Sequence, residues 1–174
     1  QLSKFCDILK LIKDDTGEEI NLYELPLDDP KVYSYFQRGW NGDVFHFGAK
    51  GLTGYCKMLK PDNITELVNC IGLYRPGVME GNFHNEYILR KKGEREVSFR
   101  KGAGEILQSS RYIMIWQEQT MKMFQVLGGF NLVDADGARR AIGKKNVEKL
   151  QPFRERFLKN YIENFGVDQK YAEE

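Results

Sequence analysis

Leu2, Phe5, Cys6, Leu9 and Ile12 return every three to four residues with charged residues between them. That spacing gathers apolar side chains on one face of an α-helix, and Asp14-Asp15-Thr16-Gly17 ends it. Asp29 followed by Pro30 reads as an N-cap with proline at the first helical position, opening a helix to about Gln37. Residues 39–42 read as a turn, the apolar run 44–47 as a short strand, and 48–59 as a helix. Asn63 with Glu66 three residues on is a capping-box start, and Pro76 stops the helix that follows. A further helix is predicted over 81–92, then a charged, glycine-rich flexible loop over 93–104 with a short strand at 96–99. The apolar segment 112–116 leads into a helix over 117–127. Asn131 and Asp134 start the next helix. The last begins near Asn146 and lines up Leu150, Phe153, Phe157, Tyr161 and Phe165 on one aromatic face. The expected fold class is mainly α, a multi-helix domain with a few short strands, and residues 1–174 are expected to form a single domain.

The composition narrows the function classes. With 174 residues, 41% of them hydrophobic and 29% charged, the chain has the material for a globular core. A net charge of +1 gives no global attraction to nucleic acid, so any phosphate-binding surface must arise from local clusters. Cys6, Cys56 and Cys70 form no CxxC pair, and with only His46 and His84 beside them they lack zinc-ligand spacing. They read as free thiols of a reducing compartment. No apolar run approaches the roughly 18 residues of a membrane span, so no membrane partner is expected. A first residue other than Met and a terminus without an obvious stop read as a piece of a longer protein.

Catalytic chemistry is thin. Asp134-x-Asp136 is the best candidate for a paired-carboxylate metal site, but two residues apart on a helix are about 200° apart around its axis. Helix capping for Asp134 and an Arg-paired or solvated surface for Asp136 fit better. There is no GxxxxGK[ST] loop and no GxGxxG fingerprint. The basic residues are more informative. Arg139 and Arg140 are adjacent on a helix, with Lys144 and Lys145 just beyond. From the local pattern alone, they either complement the helix dipole or grip phosphate, for which arginine is well shaped. Gln117, Glu118 and Gln119 are either first-turn polar residues or part of a ligand-facing wall. Arg90-Lys91-Lys92 and Arg95 form a basic run diluted by Glu94 and Glu96.

The ordered set Gln117, Glu118, Gln119, Met121, Gln125, Val126, Leu127, Gly129, Phe130, Leu132, Ala135, Asp136, Arg139, Arg140, Ala141, Gly143, Lys144 and Lys145 resembles the fingers region of the bacterial replicative DNA polymerase III alpha subunit, the C-family polymerases. Leu73-Tyr74-Arg75-Pro76-Gly77 matches that family's LYRPG. The resemblance runs from about Leu22 to Val167 and is strongest over 116–145. It implies a multi-helix fingers domain whose first helix, about 1–14, joins it to a palm that lies upstream and carries the catalytic aspartates. It also implies that Arg139 and Arg140, with Lys144 and Lys145, contact the triphosphate of the incoming dNTP. Trp116, Gln117, Glu118 and Gln119 would line the nascent base pair and template, and Arg75 would meet either a phosphate or an internal acid. No cofactor is expected on this fragment, and Mg²⁺ is expected in the complete polymerase, so the isolated fragment is expected to be inactive. The implied partners are DNA primer–template, dNTP, the palm and remaining domains of the same polymerase, and other replisome subunits. The implied setting is the cytoplasm of a bacterium or phage-infected bacterium. The sequence departs from the family at His46 to Ala49, where QLES is usual, and at Arg111-Tyr112, where Tyr-Gly is usual. Trp116 stands where tyrosine is usual. The alternative is a non-catalytic helical module, derived from such fingers, that binds nucleic acid or a replisome protein.

Overall fold

The computed structural model describes residues 2–173; Gln1, Glu174 and the side chain of Leu2 lie outside the described residues. Among those residues the chain forms eleven α-helices, a 3₁₀ turn at Gln108–Ser110 and no β-strand. The helices are α1 (Leu2–Thr16), α2 (Pro30–Arg38), α3 (Lys50–Leu59), α4 (Ile64–Leu73), α5 (Pro76–Glu80), α6 (Phe83–Lys92), α7 (Gly104–Leu107), α8 (Gln117–Val126), α9 (Leu132–Gly143), α10 (Val147–Phe165) and α11 (Gln169–Glu173). The mainly α fold follows from the starts written into the sequence. Asp29 accepts from the Lys31 N–H at 2.8 Å, Asn63 from Glu66 at 3.0 Å, Asn131 from Asp134 at 2.8 Å and Asn146 from Lys149 at 2.9 Å. Each such bond satisfies an otherwise orphaned donor of the first turn and is worth about 1 kcal/mol.

Both expected strands are absent among the described residues. The run 44–47 curls instead into turns. Val44 N–H bonds Asn41 O at 3.2 Å, Phe47 N–H bonds Val44 O at 2.9 Å, and His46 takes a left-handed φ of 68°. Phe47 enters the core while Val44 and Phe45 stay exposed. Residues 96–99 find no neighbouring strand to complete a ladder; Phe99 stacks on Tyr112 with ring centroids 4.6 Å apart and an interplanar angle of 7°. The helix expected over 81–92 starts two residues later, because Asn82 adopts a left-handed φ of 58° and separates α6 from the short α5 that Pro76 opens.

Two apolar cores result. The first is built by α2, α3, α4, α6 and the extended segment 113–115, around Tyr55, Leu59, Cys70, Leu73, Tyr87, Ile113 and Ile115. The second lies where α7 and α8 meet α10 and α11, around Leu107, Leu127 and Tyr161 with Phe157 and Phe165. α9 lies close to α8 because it presents a stripe of buried alanines, Ala135, Ala138 and Ala141. Gly128 and Gly129 between them do separate jobs. A Cβ on Gly128 would come within 2.7 Å of the Phe157 ring, and Gly129 has a φ of +64°, where a side chain is disfavoured. α1 is the exception to all this packing. Its Phe5, Ile8 and Leu11 are more than half exposed, leaving an amphipathic helix without a covered face. Among the described residues no helix is long and apolar enough to cross a membrane.

Candidate functional site

The first group of candidate residues meets at the junction of α8 and α9. Asp136, Arg139 and Arg140 are one helical turn apart, so their side chains share a face. Arg139 donates from Nε and Nη2 to Asp136 Oδ1 at 2.8 and 2.7 Å, and Arg140 Nη2 meets Asp136 Oδ2 at 2.6 Å. Arg139 then reaches across to α8, where its Nη1 donates to Gln117 Oε1 at 2.8 Å. The hydrogen bond from Arg139 holds the Asp136 carboxyl below the usual aspartate range. The two arginines are unequal. Arg139, with a quarter of its side chain exposed, ties the helices together, whereas Arg140 is 67% exposed and makes one ion pair. Lys144 and Lys145 follow at the open end of α9, both exposed, with Lys145 turned to a φ of 52°.

Asp134 and Asp136 turn to different partners. Asp134 accepts from Arg156 of α10 at 2.7 Å, and Asp136 is held by the two arginines. The expected divergence of the two carboxylates is therefore what the helix shows.

The other α8 candidates separate from Gln117. Glu118 is exposed on another side of the helix, lining a shallow hollow with Glu105, Ile106 and Lys122. Gln119 is buried. Its Oε1 accepts from the N–H groups of Ile115 and Trp116 at 2.8 and 3.0 Å, and its Nε2 donates to Ser110 Oγ at 2.7 Å. It thus closes the start of α8 as the reciprocal half of a capping box.

Trp116 sits between the two regions. Its Nε1 donates to Asn69 Oδ1 at 3.0 Å, and Arg75 lies over its ring with the guanidinium carbon 5.4 Å from the centroid. A Cβ on Gly72 would come within 2.8 Å of the indole, so the ring rests on bare backbone of α4. Arg75 therefore has an aromatic partner, within the range in which a guanidinium is attracted to a ring face.

Behind Trp116 runs a chain of buried polar groups that the sequence did not announce. Glu66, 2% exposed, accepts from Arg111 Nη2 at 2.7 Å and from Lys91. Arg111 lies over the Tyr87 ring at 5.6 Å. Tyr87 Oη accepts from Asn69 Nδ2 at 3.0 Å, and Asn69 continues to Trp116. Arg111 and Tyr112, at the departure from the family's Tyr-Gly, have φ values of 52° and 62°. Glycine is the residue that adopts such angles without cost. Here the turn is held by Arg90, whose Nη1 donates to the carbonyls of both residues at 2.9 Å. One signal for Asn69 was available: it is a lone amide on the buried face that carries Leu67, Cys70 and Leu73.

The site as a whole is an arginine pair on a short helix, tied through Gln117 to a helix that starts beside Trp116. The chain belongs to the bacterial DNA polymerase III alpha subunit finger domain family, whose model matches residues 1–165. The DNA polymerase III subunit alpha of Aquifex aeolicus is 38% identical over 162 residues, covering 92% of this chain and 14% of the relative. That of Thermus aquaticus is 36% identical, covering 94% of this chain and 14% of the relative. That of Helicobacter pylori strain J99 is 32% identical, covering 98% and 14%. The chain thus spans about one seventh of the length of these curated relatives.

Proposed function

We propose that this chain is the fingers portion of a replicative DNA-directed DNA polymerase and that the α8–α9 junction receives the triphosphate of the incoming dNTP. The observation that carries the reading is the convergence of Arg139 and Arg140 on one carboxylate, Asp136, with Gln117 of α8 holding Arg139 in place. A carboxylate is the protein's own mimic of a phosphate oxygen, so a cradle that fits Asp136 has the geometry for phosphate. Arg140, with one ion pair and most of its surface in water, turns to the ligand first. Arg139 holds α8 against α9 and contributes charge as the triphosphate displaces Asp136. Lys144 and Lys145 extend the positive edge, and Trp116, with Gln117 and Glu118, borders the nascent base pair and template. Gln119 serves that border from beneath by fixing the backbone of Trp116, and Arg75 serves it by covering the indole.

Such positive groups stabilise the charge that develops on a transferring phosphoryl group. In the complete polymerase, Mg²⁺ held by palm carboxylates supplies the remaining neutralisation. The exposed apolar face of α1 is where the palm joins. Primer–template DNA, dNTP, the remaining domains and other replisome subunits are the partners, in the cytoplasm of a bacterium or a phage-infected bacterium.

A photoreactive dNTP bound to the complete polymerase with primer–template tests this directly. Crosslinks are expected within 116–145, and crosslinks confined to other segments defeat the assignment. The isolated chain should extend no primer in the presence of Mg²⁺ and dNTPs. It should also bind primer–template no tighter than about micromolar at physiological salt, since its acids and bases are interspersed and few phosphates are neutralised. Nanomolar binding that survives about 200 mM salt would instead favour an autonomous nucleic-acid-binding module.

A further inference from the structure

We propose that Asn69 is a positioning residue for the nascent base pair, acting by fixing the indole of Trp116. The inference rests on the reading of Trp116 as a border of that site and adds a residue that touches no substrate. Asn69 is 2% exposed and its amide is fully committed. Oδ1 accepts from Trp116 Nε1 at 3.0 Å, and Nδ2 donates to Tyr87 Oη at 3.0 Å and to Ser109 O at 2.9 Å. With both amide hydrogens given to acceptors, only the oxygen remains to face the indole N–H, so the amide has one allowed orientation.

Asn69, Gly72 and Arg75 recur every three residues along one side of α4 and its exit. They meet the indole at its N–H, at its benzo edge and over its face respectively. The backbone N–H of Trp116 is held separately by Gln119. The residue is therefore anchored at both ends, and the ring plane is set by Asn69 rather than by the helix that follows. The pairing belongs to this chain's tryptophan: a tyrosine at position 116 has no ring N–H to offer.

The test is single-nucleotide incorporation by the complete polymerase carrying Asn69→Leu, Trp116→Phe and the two together. A border fixed in place contributes binding that is equal in the ground and transition states, and losing it raises KM with little change in kcat. Asn69→Leu and Trp116→Phe are each expected to raise the KM for the correct dNTP about fivefold, with kcat within about twofold. The double variant should match the single ones, because both remove the same bond. A merely structural Asn69 would lower the active fraction, hence the apparent kcat, at unchanged KM; that result, or additive effects in the double variant, overturns the proposal. Should Asn69→Leu fail to fold, Trp116→Phe breaks the same bond from the other side, and a wild-type KM there overturns it too. Trp116→Ala separates the two readings. Wild-type kinetics in that variant remove Trp116 from the site altogether, whereas an impaired Trp116→Ala beside an unaffected Asn69→Leu removes only the positioning role.

Discussion

Arg140→Ala in the complete polymerase is expected to lower kcat/KM for dNTP incorporation by about 10- to 150-fold, the loss of one charge-assisted contact to phosphate worth roughly 1.5–3 kcal/mol. The size of the effect follows from what the side chain does without ligand. Arg140 is 67% exposed and makes a single ion pair, to Asp136, so its removal leaves the Asp136–Arg139–Gln117 bridge in place and the helices packed. Arg139→Ala should reduce efficiency in the same range, with an added loss of stability, because it also breaks the link between α8 and α9. Arg140→Lys should recover only part of the activity, since a lysine offers a point charge where a guanidinium offers two parallel donors. Steady-state incorporation kinetics at varied dNTP concentration measure all three. Wild-type values in both alanine variants would return the arginines to the role of ion-pairing Asp136 and complementing the end of α9.

Glu66→Gln carries the largest expected effect on stability. The carboxylate is 2% exposed and gathers three separate stretches of chain: Lys91 at the end of α6, Arg111 in the turn before Trp116, and the Asp62 N–H ahead of α4 at 3.2 Å. Lys91 has 15% of its side chain exposed and keeps only its pair with the exposed Asp62 at 3.1 Å, while Arg111, 34% exposed, loses its carboxylate partner, so neither regains full hydration. Breaking a buried pair from one side typically costs about 3–5 kcal/mol, and a chain of this length loses roughly 2–4 °C in Tm per kcal/mol. A fall in Tm of about 10 °C is therefore expected by thermal unfolding. A shift of less than about 2 °C would mean that water screens the cluster as it screens a surface pair.

The parts of this fold that were legible in the sequence are local ones. Asn63 reaches Glu66, Asn131 reaches Asp134 and Asn146 reaches Lys149, each across three residues. The aromatic ladder of α10 is likewise a property of one helix. The run 44–47 misled because four apolar residues in succession look the same whether they enter a sheet or a compact turn, and only the turn hydrogen bonds at Asn41 and Val44 distinguish the two. The candidate site was legible in outline through Arg139, Arg140 and Trp116. Its wiring was not: Glu66 meets Arg111 across 45 residues and Asn69 meets Trp116 across 47. No local pattern encodes such pairings. Gln119 shows the same limit on a smaller scale. Its first-turn position predicts a polar residue, while the fold decides whether the amide faces outward or closes the turn beneath Trp116.

The left-handed pair Arg111–Tyr112 also bears on how the molecule can move. A joint between two packed bodies bends most readily where backbone angles are free to change. The segment joining the two cores is the opposite of such a joint. Its two residues sit in a left-handed region that is unfavourable for side-chain-bearing residues, and they are held there because Arg90 grips both of their carbonyls and Phe99 lies flat on the Tyr112 ring. A family member with glycine there has a swivel at this point; this chain has a stiff elbow. The helices on either side are thereby joined through a braced turn.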